Sequence, residues 1–410
     1  MDDSTFLIFV NALNRYFDTI QYHDDIYEHE TRVAYLRHVY AETAKYFDQP
    51  EQKAAVEVQP ARFNAIMRTS AQVVVYCWSK CSLDVMVAIS VHFVHIVLLD
   101  DSTSNPGPLM LTFGNDLIKG EPQKHPFWAL LNAHLSNFLS YYGGFCSLAI
   151  LRSTFDYFQG CWVEQYNFHG YPGSEYFPGF LRRLNGLGGT CGGSLFPRAD
   201  FDEDALFPQI ATAIAELEIP VAFINDLMSF YKEYGNPRDE VNLVSNWCTT
   251  EGLTIFESFE RLTNETCRGS KRVMDILNGL NDKDPKISET IHAFIHGYIT
   301  WHFCDERFRF KEVYQRCGNS SEELKFRKYY EKAMAVGTID FKEWAVWPPV
   351  NGTEKMAETN GIDGIPNGVA NGIRDTEANG LKNGDSAMAA ESDKTVEMQP
   401  HLLPSCECQE

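Results

Sequence analysis

Apolar residues recur three and four positions apart through most of the chain, in the stretches 5–20, 31–47, 61–80, 83–100, 126–141, 146–167, 205–233, 253–266, 286–310 and 321–335. That spacing follows the 3.6-residue turn and predicts a helix for each stretch. Alternation of period two, the mark of a half-buried strand, is scarce. Connectors rich in Gly and Pro, such as 104–108 (Ser104 to Pro108) and 169–173 (His169 to Gly173), separate the segments as loops should. No repeat of fixed period emerges, which disfavours a solenoid. The pattern therefore predicts an all-α bundle in one domain. Within it, the run from Val85 to Leu99 is apolar nearly all round, which places its helix at the centre of the bundle.

The helical pattern stops at Trp347, Pro348 and Pro349. Residues 351–410 contain six Asn-Gly pairs, no aromatic residue, and eleven acids against four bases. Turn-formers without an apolar period cannot offset chain entropy by burial. The expected division is a catalytic domain over 1–349 and a disordered, Asn-Gly-rich acidic tail over 350–410.

Composition narrows the function. The 28 Phe, 19 Tyr and 7 Trp suffice to fill a core and to line a pocket as well. A net charge of −21 without a sizeable Lys/Arg cluster argues against nucleic acid as partner. An anionic substrate would need a metal or a few arginines to neutralise it. The acidic start, Met1 to Ser4, leads to the expectation of no targeting segment, and the run 85–99, interrupted by Ser90, His92 and His95, falls short of the ~20 apolar residues of a membrane span. A cytoplasmic location is expected. Eleven cysteines without CxxC pairs indicate neither a disulfide framework nor a zinc site.

Two segments carry chemistry. The helix 83–100 delivers Asp100 and Asp101 to its C-terminal end, where the helix dipole opposes negative charge and a bound cation would compensate; by themselves the two acids could equally begin an exposed turn. In the second segment, Asn225, Ser229 and Glu233 stand four residues apart. Each step drifts about 40° round the helix, so an amide oxygen, a hydroxyl and a carboxylate share one face. These are hard donors of the kind magnesium accepts alongside water and phosphate oxygens.

The first segment resembles the aspartate-rich motif of class I terpene cyclases, and the run from Asn225 to Glu233 resembles their second metal motif. The closest likeness is to the fungal trichodiene synthase family, from about Tyr22 to Pro349. It includes the stretches 145–148, 151–154, 160–168 (Gly160 to Phe168) and 180–186 (Phe180 to Gly186). The resemblance implies a class I terpene synthase helical bundle with a central active-site cavity, farnesyl diphosphate as substrate, and three Mg2+ ions; it is compatible with a homodimer. It implies metal binding by Asp100, with Asp101 contributing neighbouring hydrogen bonds, and by Asn225, Ser229 and Glu233. Arg182, Lys232 and Arg307 match diphosphate-binding positions.

The physics of such a reaction is consistent with these roles. Loss of diphosphate needs metal and Arg/Lys donors to stabilise the departing charge, and the cation left behind needs a dry cavity with aromatic faces. Phe93, two turns before Asp100, and Tyr76, Phe158 and Trp301 are the expected cavity aromatics, with Phe308 beside Arg307 also placed at the substrate. His92 and His95 read as ordinary helix residues. Two departures from the family pattern concern the product: Ser104-Asn105 stand where the family has a second acidic pair, and Glu306 and Phe308 stand where it has Arg and Tyr. The alternatives are a chain-elongating prenyltransferase, which normally carries aspartate-rich motifs at both metal sites, and a non-catalytic isoprenoid-binding protein of the same fold.

Overall fold

In the computed structural model, residues 1–56, 58–100, 107–236, 241–279 and 285–347 are described, except for the side chains of residues 100 and 107–111. The helices among them are α1 (Asp3–Thr19), α2 (His29–Phe47), α3 (Pro50–Ala55), α4 (Pro60–Cys77), α5 (Leu83–Asp100), α6 (Gly107–Lys119), α7 (Pro126–Leu139) and α8 (Gly144–Gln165). They continue with α9 (Phe177–Asn185), α10 (Gly188–Gly193), α11 (Phe207–Glu233), α12 (Leu243–Glu251), α13 (Ile255–Asn278), α14 (Pro285–Cys304), α15 (Phe310–Arg316) and α16 (Ser321–Val336). The one β-type pairing among the described residues is an isolated bridge between Tyr142 and Pro197.

Each stretch of helical period contains a helix, with three corrections. The pattern over 253–266 ends too early, because α13 continues to Asn278 and buries Ser270, Val273, Met274 and Leu277. That is helical spacing, hidden by the small polar residues Thr266 and Ser270. The stretch 286–310 divides after Cys304: Asp305 accepts from Arg307 N at 3.0 Å to cap a 3-10 turn over Glu306–Phe308, and Arg309 at φ +62° redirects the chain into α15. In the connector 104–108, Gly107 and Pro108 belong to the first turn of α6, where proline is tolerated because its missing N–H has no helical partner.

Tertiary packing makes the short helices that the apolar period misses. Helix α10 reads Gly-Gly-Thr-Cys-Gly-Gly and is buried throughout, although glycine disfavours helix by about 1 kcal/mol per residue against Ala. Its glycines serve close approach, since a Cβ on Gly188 would lie 2.1 Å from Glu218 O of α11. At the crossing of α4 and α14, a Cβ on Gly297 would lie 1.9 Å from Tyr76 O. Only glycine lets these two backbones come so close.

Helix α5 occupies the expected central place, packed by α2, α4, α7 and α8. Helix α11 packs on α10, α13 and α14. Helix α11 is also long and apolar enough to cross a membrane by length and composition, and half of its most apolar window is buried in the bundle. The nine described cysteines are free thiols.

Candidate active site

Helices α4, α5, α8, α9, α10, α11, α12 and α14 line a cavity of about 910 Å³. From α5, Phe93, Ile96 and Val97 line it, so the last two turns before Asp100 face the site. The side chain of Asp100 and the whole of Asp101 lie outside the described residues, as does the pair Ser104-Asn105.

Helix α11 contributes Asn225, Asp226, Lys232 and Glu233 to the wall. Ser229, midway between Asn225 and Glu233, is buried and does not line the cavity; among the described residues its hydroxyl makes a long 3.5 Å contact to Asp226 O. The Lys232 ammonium lies 3.5 Å from the Glu233 carboxylate. Arg182, near the end of α9, joins this group through a dense set of bonds. Its Nε donates to Asp226 Oδ2 at 2.7 Å, Nη1 to Asn185 Oδ1 at 3.0 Å, and Nη2 to Ala222 O at 3.0 Å and Asn225 Oδ1 at 3.2 Å. Asn185 in turn donates to Glu164. Burial opposes charge on Arg182, yet Asp226 holds the guanidinium protonated and raises its pKa. Burial pushes the Asp226 carboxyl up to about 6; Arg182 pulls it down and the Glu233 charge adds to the rise.

Helix α14 supplies Tyr298 and Trp301, whose rings stack at 5.4 Å with 14° between planes. Beyond it, Arg307 reaches the cavity with its guanidinium 4.8 Å from the Phe308 ring. The turn that carries Arg307 is tied to α4 by a hydrogen bond from the Thr69 hydroxyl to Asp305.

Three of the five expected aromatic contacts are corrected. Tyr76 does not line the cavity: its hydroxyl accepts from Thr338 N at 3.0 Å, and the Arg32 guanidinium stands 4.4 Å over its ring. Phe158 belongs to a separate apolar cluster, edge-on to Phe113 at 5.6 Å and Trp128 at 5.1 Å. Phe308 is fully buried behind Trp301, edge-on at 5.0 Å. Helical spacing gives the direction of a side chain only relative to its own helix, so it cannot separate rings that fill the core from rings that wall a cavity. Phe93 and Trp301 do line it.

Sequence reasoning missed Asp226, Asn185, Glu164, Thr69 and Tyr298. Asp226 adjoins Asn225, and Tyr298 stands one turn before Trp301, so both carried a local signal. Asn185 likewise stands one turn after Arg182 on α9, whereas Glu164 and Thr69 had no predicted site residue beside them and join the site from other helices. His92 and His95 are core residues, stacked with His134 at 5.7 and 5.3 Å.

One cavity thus combines oxygen donors on a single face of α11, four cationic side chains (Arg62, Arg182, Lys232 and Arg307), and apolar and aromatic walls. A helical bundle with such a site belongs to the class I terpene cyclases. The sequence profile of the trichodiene synthase family matches residues 5–364, and this chain belongs to that family. Among its relatives, trichodiene synthase of Stachybotrys chartarum is 47% identical over 339 residues, covering 82% of this chain and 88% of that protein. Terpene cyclase pbrA of Penicillium brasilianum is 47% identical over 348 residues, covering 84% and 85%. A protein from ancestral sequence reconstruction, SVS_A2, shares the fold with a TM-score of 0.52 at 13% identity, over 65% of this chain and 85% of that one. The chain is accordingly a terpene cyclase, a lyase that makes a cyclic sesquiterpene.

Proposed function

We propose that the enzyme ionises farnesyl diphosphate with the aid of three Mg2+ ions. It cyclises the resulting cation through a bisabolyl-type cation to trichodiene or a related cyclic sesquiterpene, and releases diphosphate. The observation that carries this reading is the meeting of Asn225 and Glu233 with Arg182, Lys232 and Arg307 on the wall of one cavity. The donor set fits magnesium: an amide and a carboxylate oxygen line the cavity from one helical face, with the Ser229 hydroxyl buried between them, and the family resemblance assigns Asp100, with Asp101 beside it, as the further ligand. Bound there, magnesium would supply Lewis-acid neutralisation of the diphosphate oxygens.

The chain's own residues do the rest. Arg182 is held by Asp226 and Asn185 before substrate arrives, so its donation to the anion costs little reorganisation. Lys232 and Arg307 add positive charge where negative charge develops. Phe93, Tyr298 and Trp301 offer aromatic faces to the migrating cation, and with Trp78, Ile96 and Val97 they exclude water from it. Ionisation itself needs no base. The departures Glu306 and Phe308 flank Arg307; Glu306 is exposed and Phe308 buried against Trp301, so they act on the product through the position of Arg307. Catalysis is assigned to residues 1–349, with no role for 350–410.

Incubation with farnesyl diphosphate and Mg2+, followed by gas chromatography with mass detection, should give a cyclic sesquiterpene, and chelation should abolish it. Glu233→Ala and Asn225→Ala should each lower turnover at least about a hundredfold. Wild-type-like rates from a folded Glu233→Ala enzyme would overturn the metal assignment. Longer prenyl diphosphates on adding isopentenyl diphosphate would instead establish chain elongation.

A further inference from the structure

Asn225 is gripped from two sides. Its Oδ1 accepts from Arg182 Nη2 at 3.2 Å, and its Nδ2 lies 3.2 Å from His302 Nε2. An arginine has only donors, so the amide oxygen must face Arg182 and the amide nitrogen must face the imidazole. On the other edge of that ring, Nδ1 lies 2.7 Å from Tyr298 O. A carbonyl can only accept, which places the ring's proton on Nδ1 and leaves Nε2 bare to accept from Asn225. The ring has no room to turn away: it is fully buried, with the Phe308 centroid at 4.3 Å and those of Tyr298 and Trp301 each at 4.5 Å.

We propose that His302 is a positioning residue for the magnesium site, fixing the Asn225 side chain so that Oδ1, and not Nδ2, is presented at the cavity. This rests on the reading of Asn225 as a metal ligand. A primary amide can turn over by 180° with little change of shape, and the turned form would present a donor that no cation binds. Arg182 opposes that turn only while its Nη2 stays on Asn225. It lines the cavity and is itself assigned to the diphosphate, whereas His302 does not line the cavity and has no competing partner there. His302 therefore keeps the amide oriented through the catalytic cycle. Outer partners of this kind commonly change metal affinity by about 10–100-fold when removed.

The test uses the full chain with Mn2+ and inorganic pyrophosphate as probes, read by electron paramagnetic resonance of the bound ion and by the rise in melting temperature. His302→Phe keeps the ring and loses the acceptor, and it should raise the half-saturating Mn2+ about tenfold or more. His302→Gln, whose amide oxygen can occupy the place of Nε2, should recover most of that loss. In an Asn225→Asp background His302→Phe should add no further loss, because both arms of a carboxylate are oxygen. Unchanged Mn2+ binding in His302→Phe would overturn the proposal, as would equal losses in the Phe and Gln variants or the same loss in the Asn225→Asp background, which would make the effect one of packing. Should His302→Phe fail to fold, 15N NMR of histidine-labelled wild-type enzyme decides: protonation at Nδ1 with bare Nε2 is expected, and a proton on Nε2 would overturn the assignment. If pyrophosphate and Mn2+ leave the wild type itself unaffected, the metal reading of the site fails, an outcome distinct from loss of the His302 effect alone.

Discussion

Arg182 Nε and Asp226 Oδ2 are 2.7 Å apart, bridging α9 and α11 with side-chain exposures of only 12% and 7%. Such a pair holds the cation at the cavity wall, and removing one partner strands the other charge away from water. Asp226→Ala is expected to destabilise the enzyme by about 3 kcal/mol or more, measured by urea unfolding. Arg182 would keep its bonds to Asn185, Ala222 and Asn225, so Asp226→Asn, which retains an acceptor, should cost less. Equal stability of wild type and Asp226→Ala would show that the pair contributes nothing.

The corrected aromatic assignments separate product control from packing. Trp301→Leu and Phe93→Leu should alter product ratios, since both rings line the cavity. Phe158→Ala should leave the ratios alone and cost about 3–5 kcal/mol through the hole left beside Phe113 and Trp128. Chromatography of products alongside thermal unfolding checks both. A changed product from Phe158→Ala with its stability intact would reverse the assignment.

Acid should destabilise the fold through its buried imidazoles. Burial, reinforced by the neighbouring ring, holds His92 down to about 3; burial holds His95 to about 4; and burial with both neighbours keeps His134 well below the usual 6.5. Below pH 6.5 the unfolded chain binds protons that the native state refuses. Stability present above 6.5 is therefore lost as pH falls from 6.5 towards 4, at about 1.4 kcal/mol per pH unit for each such histidine. His134→Phe should flatten this slope by about one histidine. It should cost little at pH 7.5, because His134 Nε2 has no hydrogen-bond partner and the ring already stacks on Phe138 at 5.5 Å. Denaturation midpoints measured from pH 4 to 8 test the slope, and an unchanged slope in the variant would exclude the cluster as its source.

Truncation after Pro349 should leave melting temperature and cyclase rate within error of the full chain, because residues 351–410 offer no apolar period and no catalytic group. Limited proteolysis should stop near Trp347. A large loss of activity on truncation would show that the tail contributes to the catalytic body.

The sequence by itself determined the all-α class, the central place of α5 and the shared face of Asn225, Ser229 and Glu233, because each is a local consequence of helical period. Only the tertiary structure decided which rings wall the cavity and which fill the core, since Tyr76, Phe158 and Trp301 carry the same periodic signal and differ in what faces them. Helix α10 and the partners of Asn225 were likewise beyond reach of pattern. The Gly-Gly-Thr-Cys-Gly-Gly segment is a poor helix former that becomes helical where its bare backbone can lie against α11. Arg182 and His302 meet Asn225 from α9 and α14, and contacts between residues distant in the chain leave no period in the sequence.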